Sequence, residues 1–320
     1  MLDYASIAAV AAVVQEGSFE RAARTLNVTA SAISQRVKLL EERLGSVLIV
    51  RSQPCRATEA GLLLCRHAEQ VGMLEHDLRK ALPKLGKSDA GAPHVTFRIA
   101  VNADSLGSWF IDAMAAFTSS ERALLDIAVD DQQHTIEWLR SGEVLAAVTS
   151  NSRPVQGCDS VPLGRLRYVA VASPAYIARY FPDGVNATSL ASAPCLTFNR
   201  KDQLQAEWVR RVCRRAVDTP KHWLPSTQGF TDAGVAGIAW GMNPVQLVRN
   251  QLRDGTLVEL VPGRTIVVPL YWQHTRLQVP MLDRLTGRDQ HSPQSAAMKQ
   301  NGRKRWQALT GGRKEAGSQS

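Results

Sequence analysis

Residues 18–45, SFERAARTLNVTASAISQRVKLLEERLG, place apolar side chains at Phe19, Ala22, Ala23 and Leu26, and again at Ala32, Ile33, Val37, Leu40 and Leu44. Each set falls on one face of a helix. The intervening LNVT is too short for a strand, and Thr29 suits the cap of the second helix. The first helix is only about two turns long, so it needs a partner against which to bury its face. An Ala-, Val- and Ile-rich helix over about Tyr4–Gln15 supplies one and completes a three-helix core. The outward face of the second helix carries Ser31, Ser34, Gln35, Arg36 and Lys38. Small and amide side chains suit a groove, Gln pairs with adenine, and Arg and Lys reach guanine edges or phosphates. From these residues alone, two readings stand: a helix-turn-helix with the second helix as reader, or a two-helix corner with a solvated polar face.

After Gly45, placed to end the helix with positive φ, VLIV at 47–50 alternates as a short strand and SQPCRA turns the chain at Pro54. This makes a small wing. Arg51 and Arg56 there, with Arg43 on the helix, are candidate phosphate contacts. Thr58 caps a long helix over about Glu59–Lys84, with Leu64, Val71 and Leu78 seven apart and Met73, Leu74, Ala81 and Leu82 filling the stripe. The stripe packs either on its own chain or on a second copy, and the helix length favours the second copy. Two copies present two reading helices to a site with dyad symmetry. LGKSDAGAPH at 85–94 is a polar hinge.

From Val95 the periodicity changes. VTFRIAV, LLDIAVD and LAAVTS are strands, separated by helices in NADSLGSWFIDAMAAF and TIEWLRSGEV, with Asp104 or Ser105 as the cap of the first. That alternation predicts a parallel sheet covered by helices. A second set opens at RYVAVAS (167–173) and runs through CLTFN, LQAEWVRRVCRR, HWLP, QGFTDAGVAG and GIAWG. TIVVPLYWQHTR returns to the first lobe. Two α/β lobes with crossing connections enclose a cleft. Ligands bind where strand C-termini meet helix N-termini. Four loops satisfy that rule: 102–105, Thr149–Ser150, 198–202 and 226–230. Helix amides suit a carboxylate, and Asp104, Asp130, Asp131 and Asp202 suit an ammonium or guanidinium. Trp109 and Trp240 are expected in the core.

Charge changes the picture little. The net charge is +9, but the tail from residue 286 is its most basic part, so the case for DNA rests on where charges sit. Five cysteines at 55, 65, 158, 195 and 213 lie far apart, without metal or dithiol spacing. Free thiols point to a reducing cytoplasm. No secretory leader opens the chain, and the apolar run Ile7–Val14 is too short to cross a bilayer. Seven scattered histidines, with no HExxH, no GxSxG and no glycine-rich nucleotide loop, speak against an enzyme. No cofactor and no metal are expected. A periplasmic transport protein would need an export signal. A bare dimerisation module would need neither the polar reader face nor a cleft.

The stretch 18–45, followed by LIVRSQPCRATEAG, resembles the winged helix-turn-helix signature of the LysR-type transcriptional regulators. The resemblance implies an N-terminal, essentially all-α winged helix-turn-helix (1–58) and a linker and dimerisation helix (59–85). A hinge (86–94) then leads to a C-terminal α/β two-lobed, periplasmic-binding-protein-like effector domain (95–285). Lobe 1 takes about 95–165 and 265–285, and lobe 2 takes 166–264. IAVNADSLGSWF, GEVLAAVTS, LTFNRKDQLQ and PLYWQ are similar to one branch of that family, the ArgP/LysG branch, which senses basic amino acids. DNA contacts are then expected from Thr29, Ser31, Ser34, Gln35, Arg36, Lys38, Arg51 and Arg56. By the resemblance, Asn102, Asp104, Ser105, Thr149, Asn199, Asp202, Thr227 and Phe230 match the effector loops. Leu64, Val71 and Leu78 are expected in dimerisation. The implied partners are double-stranded promoter DNA, lysine or arginine, a homodimer or homotetramer, and RNA polymerase, with no membrane. The implied role is activation of an amino acid exporter gene. The alternative is another metabolic or nitrogen-related operon with a different effector. After MLDRLTG the tail RDQHSPQSAAMKQNGRKRWQALTGGRKEAGSQS departs from the branch's terminal helix and has the composition of a disordered basic extension.

Overall fold

A computed structural model describes residues 3–82, 95–121, 123–130 and 135–276. The hinge at 86–94, Asp131 and the tail from 286 lie outside the described residues. The chain divides into two compact units after Phe97, three residues into the strand that begins at Val95.

In the first unit, α1 (Tyr4–Glu16), α2 (Phe19–Thr25) and α3 (Ala30–Leu44) close round a core of Ile7, Val10, Val13, Ala22, Ile33, Val37 and Leu40. Asp3, Ser18 and Thr29 cap the three N-termini with their side chains. Gly45 ends α3 with φ of 64°, as its position predicts. Leu44 closes the sequence stripe, yet it is exposed, because the stripe drifts off the buried face in the last turn. β1 (Ile49–Val50) and β2 (Arg56–Ala57) pair antiparallel as the wing. α4 (Glu59–Ala81) lies against α1. It approaches β1 so closely that a Cβ on Gly61 would collide with the Leu48 carbonyl, which explains the glycine of ATEAG.

In the second unit, β3 (Val95–Asn102) leads into α5 (Ala103–Ser105), a π-helical turn (Leu106–Phe110) and α6 (Ile111–Ser120). β4 (Ala123–Asp130), α7 (Thr135–Arg140) and β5 (Ala146–Thr149) complete the first lobe's sequential elements. β6 (Cys158–Ala172) is one strand of 15 residues. It is followed by α8 (Pro174–Tyr180), α9 (Ala187–Ser192), β7 (Cys195–Thr197), α10 (Leu204–Cys213), β8 (Lys221–Trp223) and α11 (Thr227–Val235). Then come β9 (Gly241–Pro244), α12 (Arg249–Asp254), β10 (Val258–Glu259) and β11 (Thr265–Thr275).

The main sheet has the order β10-β6-β11-β5-β3-β4, with β9 also on β6. β3 and β5 are parallel, as the alternation predicts. The expected division at 165/166 falls inside β6, so the second lobe begins within a continuing strand. β6 and β11 pair antiparallel along their lengths, with a register shift at Leu270/Tyr271. Beyond that shift Tyr271–His274 pair with β5 in lobe 1, while Tyr168–Ala172 pair with β9 and β10 in lobe 2. Two crossing strands therefore join the lobes, and β11 returns to lobe 1 as predicted. Separate cores serve lobe 1 (Ala100, Leu139, Val144, Ala147, Cys158) and lobe 2 (Val169, Val171, Val248, Leu257, with Leu196, Phe230, Ala233 and Ala239). Trp240 is fully buried against Trp208, as expected of a core residue, whereas Trp109 is half-buried.

Candidate functional site

The outward face of α3, expected to read DNA, follows from the capping and packing of the helix. Thr29 Oγ accepts from the Ala32 amide at 3.2 Å, which fixes the helix start and leaves the side chain at its exposed end. With Ile33, Val37 and Leu40 turned inward, Ser31, Gln35 and Lys38 (spacing four and three) share the exposed face, and Ser34 and Arg36 flank it half-buried. Lys38 lies 3.7 Å from Glu42, an exposed pair that holds it only loosely. On the wing, Arg51 and Arg56 are exposed, and the Arg51 guanidinium stacks over the Phe19 ring at 4.9 Å. The wing is anchored from two sides. Glu41 of α3 accepts from the amides of Leu48 (2.8 Å) and Ile49 (3.3 Å), and the Cys55 amide donates to the Gly17 carbonyl. Sequence patterning missed Glu41, because a lone acid on a helix looks like any other solvated charge.

The three residues expected in dimerisation have different settings. Leu64 packs on its own unit's core, together with Ala60, Cys65 and Ala68. Burial pushes the Cys65 thiol up to about 11. Val71 is half-buried and Leu78 is exposed. The exposed apolar residues of α4 are Leu63, Leu74 and Leu78, with Leu82 just beyond its end.

In the second unit, one cleft is lined by Asn102, Ala103, Asp104, Phe198, Asp202, Leu204, Gln205, Thr227, Phe230, Met242, Asn243 and Pro244. Five of the expected effector residues meet there: Asn102, Asp104, Asp202, Thr227 and Phe230. Ser105, Thr149 and Asn199 do not line it. Ser105 and Thr149 are wholly buried, and Thr149 Oγ accepts from the Asn151 amide. Asn199 folds its own loop, accepting from the amides of Lys201 and Asp202. Asp130 ends β4.

Asp104 is not the expected cap. Asn102 occupies that position, with no side-chain capping bond. The Asp104 carboxylate instead accepts from Tyr168 Oη (2.7 Å) and from Thr227 Oγ (2.9 Å). Both donors belong to lobe 2, so Asp104 ties lobe 1 across the cleft. Asp202 receives the amides of Phe198 and Leu204 at 3.0 Å each, which shapes the loop into α10. The first residues of three helices, Ala103, Leu204 and Thr227, open into the same space, and the first of these helices runs on through the π turn into α6. Helix N-termini carry partial positive charge and amide donors. Among the described residues, the only charged side chains lining the cleft are the two carboxylates. Such a site accepts an anion on main-chain donors and a cation on side chains. Tyr168, Gln205 and Asn243 escaped sequence reasoning. The signal was present for Gln205: it shares the buried face of α10 with Trp208 and Val209, where an apolar residue belongs.

Residues 5–62 match the family of bacterial regulatory helix-turn-helix proteins of the lysR family, and residues 90–286 match the LysR substrate binding domain. The chain belongs to the LysR family of DNA-binding transcriptional regulators, which are not enzymes. It is 45% identical over 285 residues to the HTH-type transcriptional regulator LysG of Mycobacterium tuberculosis, covering 89% of this chain and 91% of that one. It is 43% identical over 286 residues to the HTH-type transcriptional regulator ArgP of Pseudomonas aeruginosa, covering 89% and 94%. A solved structure of full-length LysG from Corynebacterium glutamicum with bound effector Arg matches with a TM-score of 0.64 at 35% identity, covering 89% of this chain and 95% of that one. Among the described residues no helix is long and apolar enough to cross a membrane.

Proposed function

We propose that this regulator senses a basic amino acid, lysine or arginine, in the inter-lobe cleft. In response it activates an exporter gene for such amino acids from a promoter site with dyad symmetry. The observation that carries the reading is the charge of the cleft: Asp104 on lobe 1 and Asp202 on lobe 2, with no basic side chain in the lining. A zwitterion with a cationic side chain leaves its carboxylate to helix amides and brings two cations to two carboxylates. The relatives named LysG and ArgP, and the LysG structure with bound Arg, support the same ligand class. A ligand spanning both lobes biases an existing equilibrium between lobe arrangements. Asp104, already bonded across the cleft, is where that bias acts. The protein works in the cytoplasm as a dimer or tetramer, with the exposed leucines of α4 as the first interface. Calorimetric titration with lysine, arginine, leucine and glutamate tests the ligand. Selective binding of the two basic amino acids is expected, and equal affinity for leucine and lysine refutes the reading. Footprinting at the exporter promoter with and without lysine tests the regulatory half.

A further inference from the structure

Gln205 is 3% exposed, and both its amide oxygen and its amide nitrogen lack a hydrogen-bond partner. Burying such a group unpaired is costly, and the cost is recovered only when donor and acceptor both find partners. The side chain lines the cleft from the second position of α10, beside Asp202. Asn102, on the opposite lobe and 2% exposed, has a buried, unpartnered oxygen in the same cleft. The buried atoms left unpaired differ: one oxygen on Asn102, an oxygen and a nitrogen on Gln205. A guanidinium or ammonium only donates, so it satisfies an oxygen such as that of Asn102. Full satisfaction of Gln205 needs an acceptor and a donor a few bonds apart. The head of an α-amino acid has both, a carboxylate and an ammonium on one carbon.

We infer that Gln205 is the residue that recognises the α-amino acid head of the ligand, donating from Nε2 to the carboxylate and accepting at Oε1 from the α-ammonium. The inference rests on the amino acid reading above and adds an orientation to it. The head lies on lobe 2 at the N-terminus of α10, where helix amides also favour the carboxylate. The cationic side chain then points across the cleft to Asp104 and Asn102 on lobe 1. Gln205 is thus what separates an amino acid from the diamine that its decarboxylation would leave.

The test uses the full chain, with L-lysine and cadaverine as probes, in calorimetry and thermal melts. The parent protein is expected to prefer lysine. Gln205→Met keeps the volume and removes the amide. It should weaken lysine roughly tenfold or more, leave cadaverine unchanged, and melt without ligand no lower than the parent. Gln205→Glu should reverse the order, because its carboxylate repels the lysine head and attracts the diamine. Equal losses for both probes in Gln205→Met, no loss for either, a lowered melting temperature of that variant, or retained preference for lysine in Gln205→Glu would each overturn the assignment. Should the parent bind leucine as well as lysine, the basic-ligand reading falls. The role of Gln205 is then decided by comparing leucine with isopentylamine in the same variants. A parent that binds no amino acid overturns both.

Discussion

Asp104→Asn keeps the shape of the side chain and removes the charge that ties the lobes. The carboxylate accepts two hydroxyl hydrogen bonds, at 2.7 Å from Tyr168 and 2.9 Å from Thr227. Tyr168 is wholly buried, so its hydroxyl cannot turn to solvent instead. Hydrogen bonds to a charged group each contribute about 1.5–3 kcal/mol. The amide retains one acceptor oxygen and points its NH2 at the other donor, so close to one full bond is lost, ~1.5–3 kcal/mol. In a domain of this size that lowers Tm by roughly 3–10 °C. The reasoning demands more than destabilisation, since many changes destabilise. Tyr168→Phe removes the partner, and the double variant closes a thermodynamic cycle. Urea unfolding is followed by the fluorescence of the chain's seven tryptophans, the buried Trp208 and Trp240 of lobe 2 among them. A coupling energy of about 1–3 kcal/mol is expected. Additivity of the two single changes within about 0.5 kcal/mol would show that the bond does not hold the lobes. The same variants should lose affinity for lysine in Asp104→Asn but retain it in Tyr168→Phe, because only the first removes the charge that a cation seeks.

On the reading surface, Gln35→Ala should cost about 1–3 kcal/mol against the preferred base at one position. Arg51→Ala should weaken every duplex alike and lower the salt slope by about one. Binding to specific and scrambled duplexes across a salt series separates the two. Glu41→Ala frees the amides of Leu48 and Ile49, so it should weaken DNA binding through the wing while base preference stays as in the parent. A changed preference would place Glu41 at the bases. Leu78→Glu puts a carboxylate among the exposed leucines of α4 and should shift the protein towards monomer in light scattering, whereas Leu64→Ala should mainly lower Tm by opening the unit's own core. An unchanged mass for Leu78→Glu would exclude that face as the interface.

The short-range features were legible in the sequence. The spacing of Phe19, Ala22 and Ala23, and of Ile33, Val37 and Leu40, shows two helices and their inner faces. Thr29, Thr58 and Gly45 mark ends, since a cap is a contact between residues three or four apart. Strand and helix alternation from Val95 announces the α/β domain, and the loops at 102–105, 198–202 and 226–230 mark strand and helix ends that line the cleft. Other features depend on contacts between distant parts of the chain. Asp104 looks like a cap in sequence, but its partners lie 64 and 123 residues away. Thr149 sits at a strand end like the others, yet it is paired with Tyr271 of β11 and wholly buried, and it does not line the cleft. Leu64 has the spacing of an interface residue, and only the packing of α4 on α1 turns it inward. Periodicity tells which face of an element is apolar. Which neighbour covers that face, and which end of a strand opens to a ligand, is decided by the crossing of β6 and β11, whose register sets the two lobes opposite each other.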